Sequence, residues 1–249
     1  MKKRKAFTLI ELLVVIAIIA MLLAILMPSL KKAKQIARDV VCKSNLRQWS
    51  IIFSGYLNDN DNKFMPGIQG GHSTGQFSWV YATMPYYNTP KIRFCPVATR
   101  TESEGGKIPH AAWDIDNSIY GGGGLSYIEG EYRNGSYGVN SWIGSQWKRA
   151  GQRSSDQIPV LSDAGFLRAD PRATDDPPPH DGFFDWADGA RGMDRVCTDR
   201  HRGNIHVLFM DMSVDRVDLM GLWQLKWHKD YIPPSPAPVW PQWMIDAVK

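Results

Sequence analysis

Charge of one sign is scarce in this 249-residue sequence once its first residues are set aside. The formal net charge of +4 is no more than Lys2, Lys3, Arg4 and Lys5 supply, and the rest of the chain balances. Its basic isoelectric point therefore belongs to one short cluster, so no specific nucleic acid is expected as a partner. Catalytic signatures are scarce too. No H-E-x-x-H metalloprotease motif and no Gly-rich cofactor fingerprint occur, and the run Gly121 to Gly124 lacks the Gly-Lys-Ser/Thr ending of a P-loop. The dispersed Asp, Glu and His residues specify no reaction, and the chain is read as a non-enzyme. No repeat of fixed period is present.

What the sequence does contain is one long apolar run. From Phe7 to Met27 the only charge is Glu11, and 21 residues at about 1.5 Å each reach roughly 30 Å, the depth of a bilayer core. The run is expected to cross a membrane once. The positive-inside rule places the short cluster at residues 2–5 in the cytoplasm and the rest of the chain outside it, although Lys31, Lys32 and Lys34 also make the far flank basic. A carboxylate within hydrocarbon costs roughly 2.5 to 3.5 kcal/mol on insertion scales, so Glu11 calls for a partner or a task.

Past Pro28 the pattern stays helical. Leu30, Ala33, Ala37, Val40, Val41, Trp49, Phe53, Tyr56 and Leu57 recur mainly at intervals of three and four among charged residues. Anchor and stalk together predict one helix of around 50 residues over 7–57, with Pro28 inside it as a point of bending or loosening. The stretch NDNDNKFMPG from Asn58 ends it. Residues 58–249 then change to Gly, Pro, Asn and aromatics, enough for one substantial core. The aromatics of Phe77 to Tyr87 are read as packing, with a sugar-binding platform as the alternative. Gly121 to Gly124 predicts a loop feeding one or two strands, and Asp170 to Gly192, rich in proline, predicts a long surface insertion. The stretch RHRGNIHVLFMDMSVDRV predicts two short strands around a turn, with apolar residues on both faces of the first.

The start of the chain, Ala6-Phe7-Thr8-Leu9-Ile10-Glu11 after a basic leader and before the long apolar helix, resembles the class III signal of type IV pilins and type II secretion pseudopilins. The resemblance implies an α+β, pilin-like fold in which a long N-terminal helix packs on an antiparallel sheet with long loop insertions. It divides the chain into a leader (1–6), a membrane and stalk helix (7–57) and an extracytoplasmic globular domain (58–249). It implies cleavage between Ala6 and Phe7 by a prepilin peptidase and methylation of the new amine, with Ala6 standing where the family usually has Gly. Glu11 would pair with the N-terminal ammonium of a neighbouring subunit. The implied partners are other pilin or pseudopilin subunits, an inner-membrane assembly platform and the lipid bilayer. The implied location is the cytoplasmic (inner) membrane, with entry into a filament. A membrane-tethered binding module for glycans or envelope material is the alternative.

Later fragments extend this resemblance to large pseudopilin-like proteins: CKSNLRQW from Cys42, FCP from Phe94, SYGVN from Ser136 and LSDA from Leu161. His201 is followed after nine residues by Asp211, as in the H-X9-DG region of such proteins, but Met212 replaces the Gly. Met enters a left-handed turn less cheaply than Gly, so either a different turn or the loss of a local role is expected there. The family fragments favour Cys42 with Cys95 as a disulfide, leaving Cys197 over, with three buried thiols as the alternative. No cofactor is implied beyond calcium, common in some pseudopilins; Asp163, His201 and Asp211 are chemically suitable metal ligands, the carboxylates suiting calcium and the added histidine favouring a transition metal. A turn fixed by hydrogen bonds of His201 and Asp211 is the competing reading.

Overall fold

The computed structural model describes residues 9–65, 79–101, 110–114, 134–183 and 192–248. The expected leader, Ala6, Phe7, Phe77 and the Gly121 to Gly124 run lie outside the described residues. The chain divides into two units, one reaching Asp39 and the other beginning at Val40. Helix α1 (Leu9–Asp59) runs for 51 residues and contains Pro28.

In the first unit, every large apolar side chain of α1 from Leu9 to Leu30 is at least 46% exposed. This part of α1 is long and apolar enough to cross a membrane. Glu11 lies in its first turn, where the positive end of the helix dipole favours a carboxylate.

In the second unit, α1 is amphipathic. Cys42, Leu46, Trp49, Ile52, Phe53 and Leu57 are buried, a stripe at helical spacing. The stripe differs from the expected one at its start, since Val40 and Val41 are exposed and Cys42 opens the buried face. Helix α1 ends at Asp59, two residues past the expected bound and inside the Asn/Asp-rich stretch. Asp61 and Asn62 adopt left-handed φ values of 54° and 57°, and the Asn62 amide turns back to the Leu57 carbonyl at 2.8 Å. Asn and Asp tolerate that conformation better than most residues, which is why an Asn/Asp-rich stretch serves as the stop.

Among the described residues eight strands form two sheets: β1 (Arg100–Thr101), β2 (Ala111–Asp114) and β3 (Asn134–Gly135) make a small one. The main sheet runs β6-β4-β5-β7-β8, from β4 (Tyr137–Asn140), β5 (Pro159–Asp163), β6 (Arg168–Ala169), β7 (Asn204–Phe209) and β8 (Val214–Asp218). All of its pairings are antiparallel except β4 with β6. Strand β7 explains the double apolar pattern in the sequence. Leu208 packs into the core shared with α1, whereas Ile205, Val207 and Phe209 join a second core with Leu222, Trp223, Trp227 and Met244 of the C-terminal segment. Successive side chains alternate between faces, so a strand covered on both sides must be apolar on both.

Trp79 and Tyr87 of the first globular stretch are buried packing residues, whereas Tyr81 is exposed. Trp49 makes edge contacts with Trp79 of α2 (Trp79–Thr83) and with Tyr87, both at 5.1 Å between ring centroids. The indole N–H groups of Trp49 and Trp79 donate to the Ile92 and Leu167 carbonyls. The described part of the expected insertion, 170–183, has no helix or strand but is tied down: Trp223 donates to the Asp175 carbonyl and Trp243, in α3 (Gln242–Val248), to that of Pro178.

Candidate functional site

Five chain segments converge between the stalk part of α1 and the main sheet. Cys42 opens the buried stripe of α1. Cys95 follows the 3-10 turn Pro90–Arg93, and its segment is fixed to the start of β4 by the Ser136 amide on the Arg93 carbonyl and by the Cys95 amide on Ser136 Oγ. Tyr137 begins β4 and is paired in register with Asp163, the last residue of β5. His201 lies just before β7, in a turn where Arg202 and Gly203 take φ values of 56° and 72°. That turn is held by the Gly203 amide on Asp199 Oδ1 and by Arg216, which donates to the His201 carbonyl.

Their side chains meet in a fully buried cluster. Cys42 Sγ is 3.2 Å from Tyr137 Oη and 3.5 Å from both Asp163 carboxylate oxygens. Cys95 Sγ is 3.2 Å from His201 Nε2, which is 3.3 Å from Asp163 Oδ2. That same oxygen accepts the His206 backbone N–H at 2.9 Å, and the His206 and His201 rings are 4.6 Å apart.

The electrostatics follow from burial and these neighbours. Burial alone would raise the Asp163 carboxyl, but the charge and hydrogen bond of His201, the hydrogen bond of His206 and the charge of Arg200 hold it well below the usual carboxylate range. Burial would lower His201, yet Asp163 and Cys95 push it up to about 10. The two thiols diverge. Burial, then Cys95 and Asp163, drive Cys42 well up; for Cys95 burial also acts upward, but the hydrogen bonds from Cys42 and His201 bring it down. Cys95 beside an imidazolium is thus the readier thiolate of the pair.

The sequence expectations divide here. Asp163 and His201 do come together. Asp211 does not join them: it is exposed at the β7–β8 turn, where Oδ1 accepts from the Ser213 amide at 3.0 Å and hydroxyl at 2.6 Å. It holds that turn with Ser213, and the His201 side chain lies with Cys95 and Asp163, so the two do not fix one turn together. Met212 corrects a further expectation, because it occupies the left-handed region with φ 67°. The turn keeps the shape a glycine would favour and carries a methionine in it. Cys42 and Cys95 are neighbours, and both are free thiols; Cys197 is buried apart from them, 4.0 Å from the Met244 sulfur.

Tyr137 and His206 were not singled out in the sequence, nor was the union of the thiol pair with Asp163 and His201. The signal was present in dispersed form. Each fragment carrying the pseudopilin resemblance supplies one member: CKSNL gives Cys42, FCP gives Cys95, SYGVN gives Tyr137, LSDA gives Asp163 and the HX9D stretch gives His201. One further spelling, G-x-S-x-G at Gly71 to Gly75, has the form of a nucleophile elbow. It lies outside the described residues, and nothing assigns it the strand-to-helix turn that such an elbow requires.

The other candidate feature is the exposed apolar helix with Glu11 in its first turn. Residues 1–27 match the family model described as the prokaryotic N-terminal methylation motif. The N-terminus carries that motif. The chain is also similar to the type IV wide pilus major component PilA4 of Thermus thermophilus, with 45% identity over 62 residues. That likeness takes in 25% of this chain and 47% of the relative, so the chain spans about half the length of the curated relative it matches. No solved structure matches it.

Proposed function

We propose that this chain is a structural subunit of a pilin-like filament, of the type IV pilus or type II secretion pseudopilus kind, with no turnover of its own. The observation that carries the reading is the joining of a methylation-motif N-terminus to a helix whose apolar side chains are all exposed from Leu9 to Leu30. Such a surface needs an apolar surrounding. A bilayer provides one while the subunit is stored in the inner membrane, and the first helices of neighbouring subunits provide the other after extraction. Prepilin peptidase cuts after Ala6 and exposes the amine of Phe7. Glu11 offers the counter-charge to the amine of the next subunit. Desolvation consumes much of the strength of such a buried pair, so its contribution is register between subunits more than raw affinity. The assembly platform and the other subunits are the partners in this reading.

The test compares wild type with Glu11→Ala in cells that hold the assembly machinery, by shear fractionation, crosslinking and electron microscopy. Membrane insertion of the variant is expected to be intact, since a costly polar group has been removed, while its incorporation into filaments falls. Equal incorporation of the two proteins, with cleavage of both verified, would defeat the mechanism.

A further inference from the structure

Cys42, Cys95, Asp163 and His201 each present one ligand atom, and these four atoms all lie within 4.8 Å of one another. Zinc bound at about 2.3 Å to sulfur and about 2.0 to 2.1 Å to nitrogen or oxygen sits in a tetrahedron with edges of about 3.3 to 3.8 Å. Three edges of this cluster measure 3.2 Å (Cys95 to His201), 3.3 Å (His201 to Asp163) and 3.5 Å (Asp163 to Cys42). Four donors of the right kind thus already stand close to the corners of one coordination sphere.

We propose that these four residues form a structural site for a thiophilic divalent cation, zinc by donor set, that clamps the stalk helix to the sheet. Two thiolates with an imidazole and a carboxylate suit zinc; calcium takes six to eight oxygen ligands, and this set supplies one carboxylate. All four protein positions are filled and all four residues are buried, the closed arrangement of a structural site with no open place for a reacting water.

The surroundings are those of a metal centre. Tyr137 Oη lies 3.2 Å from Cys42 Sγ, placed to donate to a thiolate, and the His206 amide fixes Asp163 Oδ2. Two thiolates and a carboxylate exceed the charge of a divalent ion by one. Arg200, 4% exposed and anchored on the Ser136 and Ala111 carbonyls, supplies the balancing cation. The four ligands come from α1, from the segment after a 3-10 turn, from the end of β5 and from the turn before β7. Metal binding would therefore tie together four segments far apart in the sequence. It would also keep both thiols from oxidation in an oxidising compartment. The site stands whether or not the chain polymerises.

The test uses the full chain, extracted in detergent, and needs no activity. Metal analysis is expected to give about one zinc per chain. Cobalt exchanged into the protein is expected to show the intense visible bands of tetrahedral coordination and thiolate-to-cobalt charge transfer. Cys42→Ser and Cys95→Ser should each weaken the charge transfer, whereas Cys197→Ser should leave stoichiometry and spectrum unchanged. Tyr137→Phe retains the ring, so it should keep the spectrum while binding about tenfold more weakly. A weak octahedral cobalt spectrum in the wild type would overturn the proposal. So would a Cys42–Cys95 disulfide as the main species in non-reducing peptide mass spectrometry.

Discussion

Cys95 and His201, 106 positions apart in the chain, meet sulfur to nitrogen at 3.2 Å in the buried core, with Asp163 Oδ2 3.3 Å from the same imidazole nitrogen. A histidine between a thiol and a carboxylate is held by both. Removing it leaves a buried carboxylate whose main counter-charge has gone.

His201→Ala is accordingly expected to destabilise the metal-free protein by about 3 to 5 kcal/mol, the scale for breaking one partner of a buried pair. Denaturant unfolding followed by tryptophan fluorescence would measure it. Adding Asp163→Ala should cost much less than the sum of the two single changes, because each single change already forfeits the shared interaction. Strict additivity would mean the two side chains do not act as a pair.

Trp49 is the next point of sensitivity. It is fully buried, touches Trp79 and Tyr87 and donates to the Ile92 carbonyl. Trp49→Ala should cost about 3 to 5 kcal/mol through the cavity left behind. Trp49→Phe should cost less, since a ring still fills most of the site. A loss below about 1 kcal/mol for the alanine variant in the same unfolding assay would show that the contact between stalk and globular core collapses without penalty.

Gly203 precedes β7 with φ 72°, and a Cβ there would come within 2.3 Å of the Ala247 carbonyl oxygen. The left-handed conformation alone costs roughly 1 to 2 kcal/mol for a residue with a side chain. Backbone overlap with α3 adds to it. Gly203→Ala should lower the unfolding midpoint clearly and raise hydrogen exchange in α3 and β7. Unchanged exchange at both places would argue against this packing.

Met212 is the converse case, a side chain held where a glycine would be relaxed. Met212→Gly relieves roughly 1 to 2 kcal/mol of backbone strain and forfeits the contacts of a side chain only partly buried against the core. A net gain of about 0.5 to 1 kcal/mol is expected. A net loss in equilibrium unfolding would mean that Met212 packing outweighs the strain.

Processing provides a chemical prediction. Mass spectrometry of the protein from cells with an active prepilin peptidase should find Phe7, carrying one added methyl group, as the first residue. Retention of Lys2 through Ala6 on the membrane-inserted protein would contradict the filament reading at its first step.

Much of the architecture could be read before the structure was known. Twenty-one residues with a single charge cannot be stable in water unless covered, so the apolar half of α1 and its need for lipid or neighbours follow from composition. The helical spacing of Trp49, Phe53 and Leu57 gave the buried stripe, the Asn/Asp cluster its end, and the run through β7 a strand with apolar residues on both faces. These signals are local: they depend on residues within one or two turns, or on alternation along one strand, and backbone geometry reads them the same way in any context. The start of the buried stripe was less legible, because Val40 and Val41 fit the same periodicity and only the position of the sheet exposes them.

The cluster at Cys42 belongs to the other kind. Its members lie at positions 42, 95, 137, 163 and 201, and no spacing between them has a meaning in sequence. They meet because β4 and β5 pair Tyr137 with Asp163 and the turn before β7 presents His201 to the same side as Cys95. For the same reason Asp211, nine residues beyond His201, fell outside the site although the motif joins the two. Six strand residues at about 3.3 Å each carry the chain roughly 20 Å across the sheet, so the two ends of β7 cannot serve one centre. Sequence fixes what each segment becomes; which side chains share a coordination sphere is decided by strand order and register, and these are settled only when the whole sheet closes against the stalk.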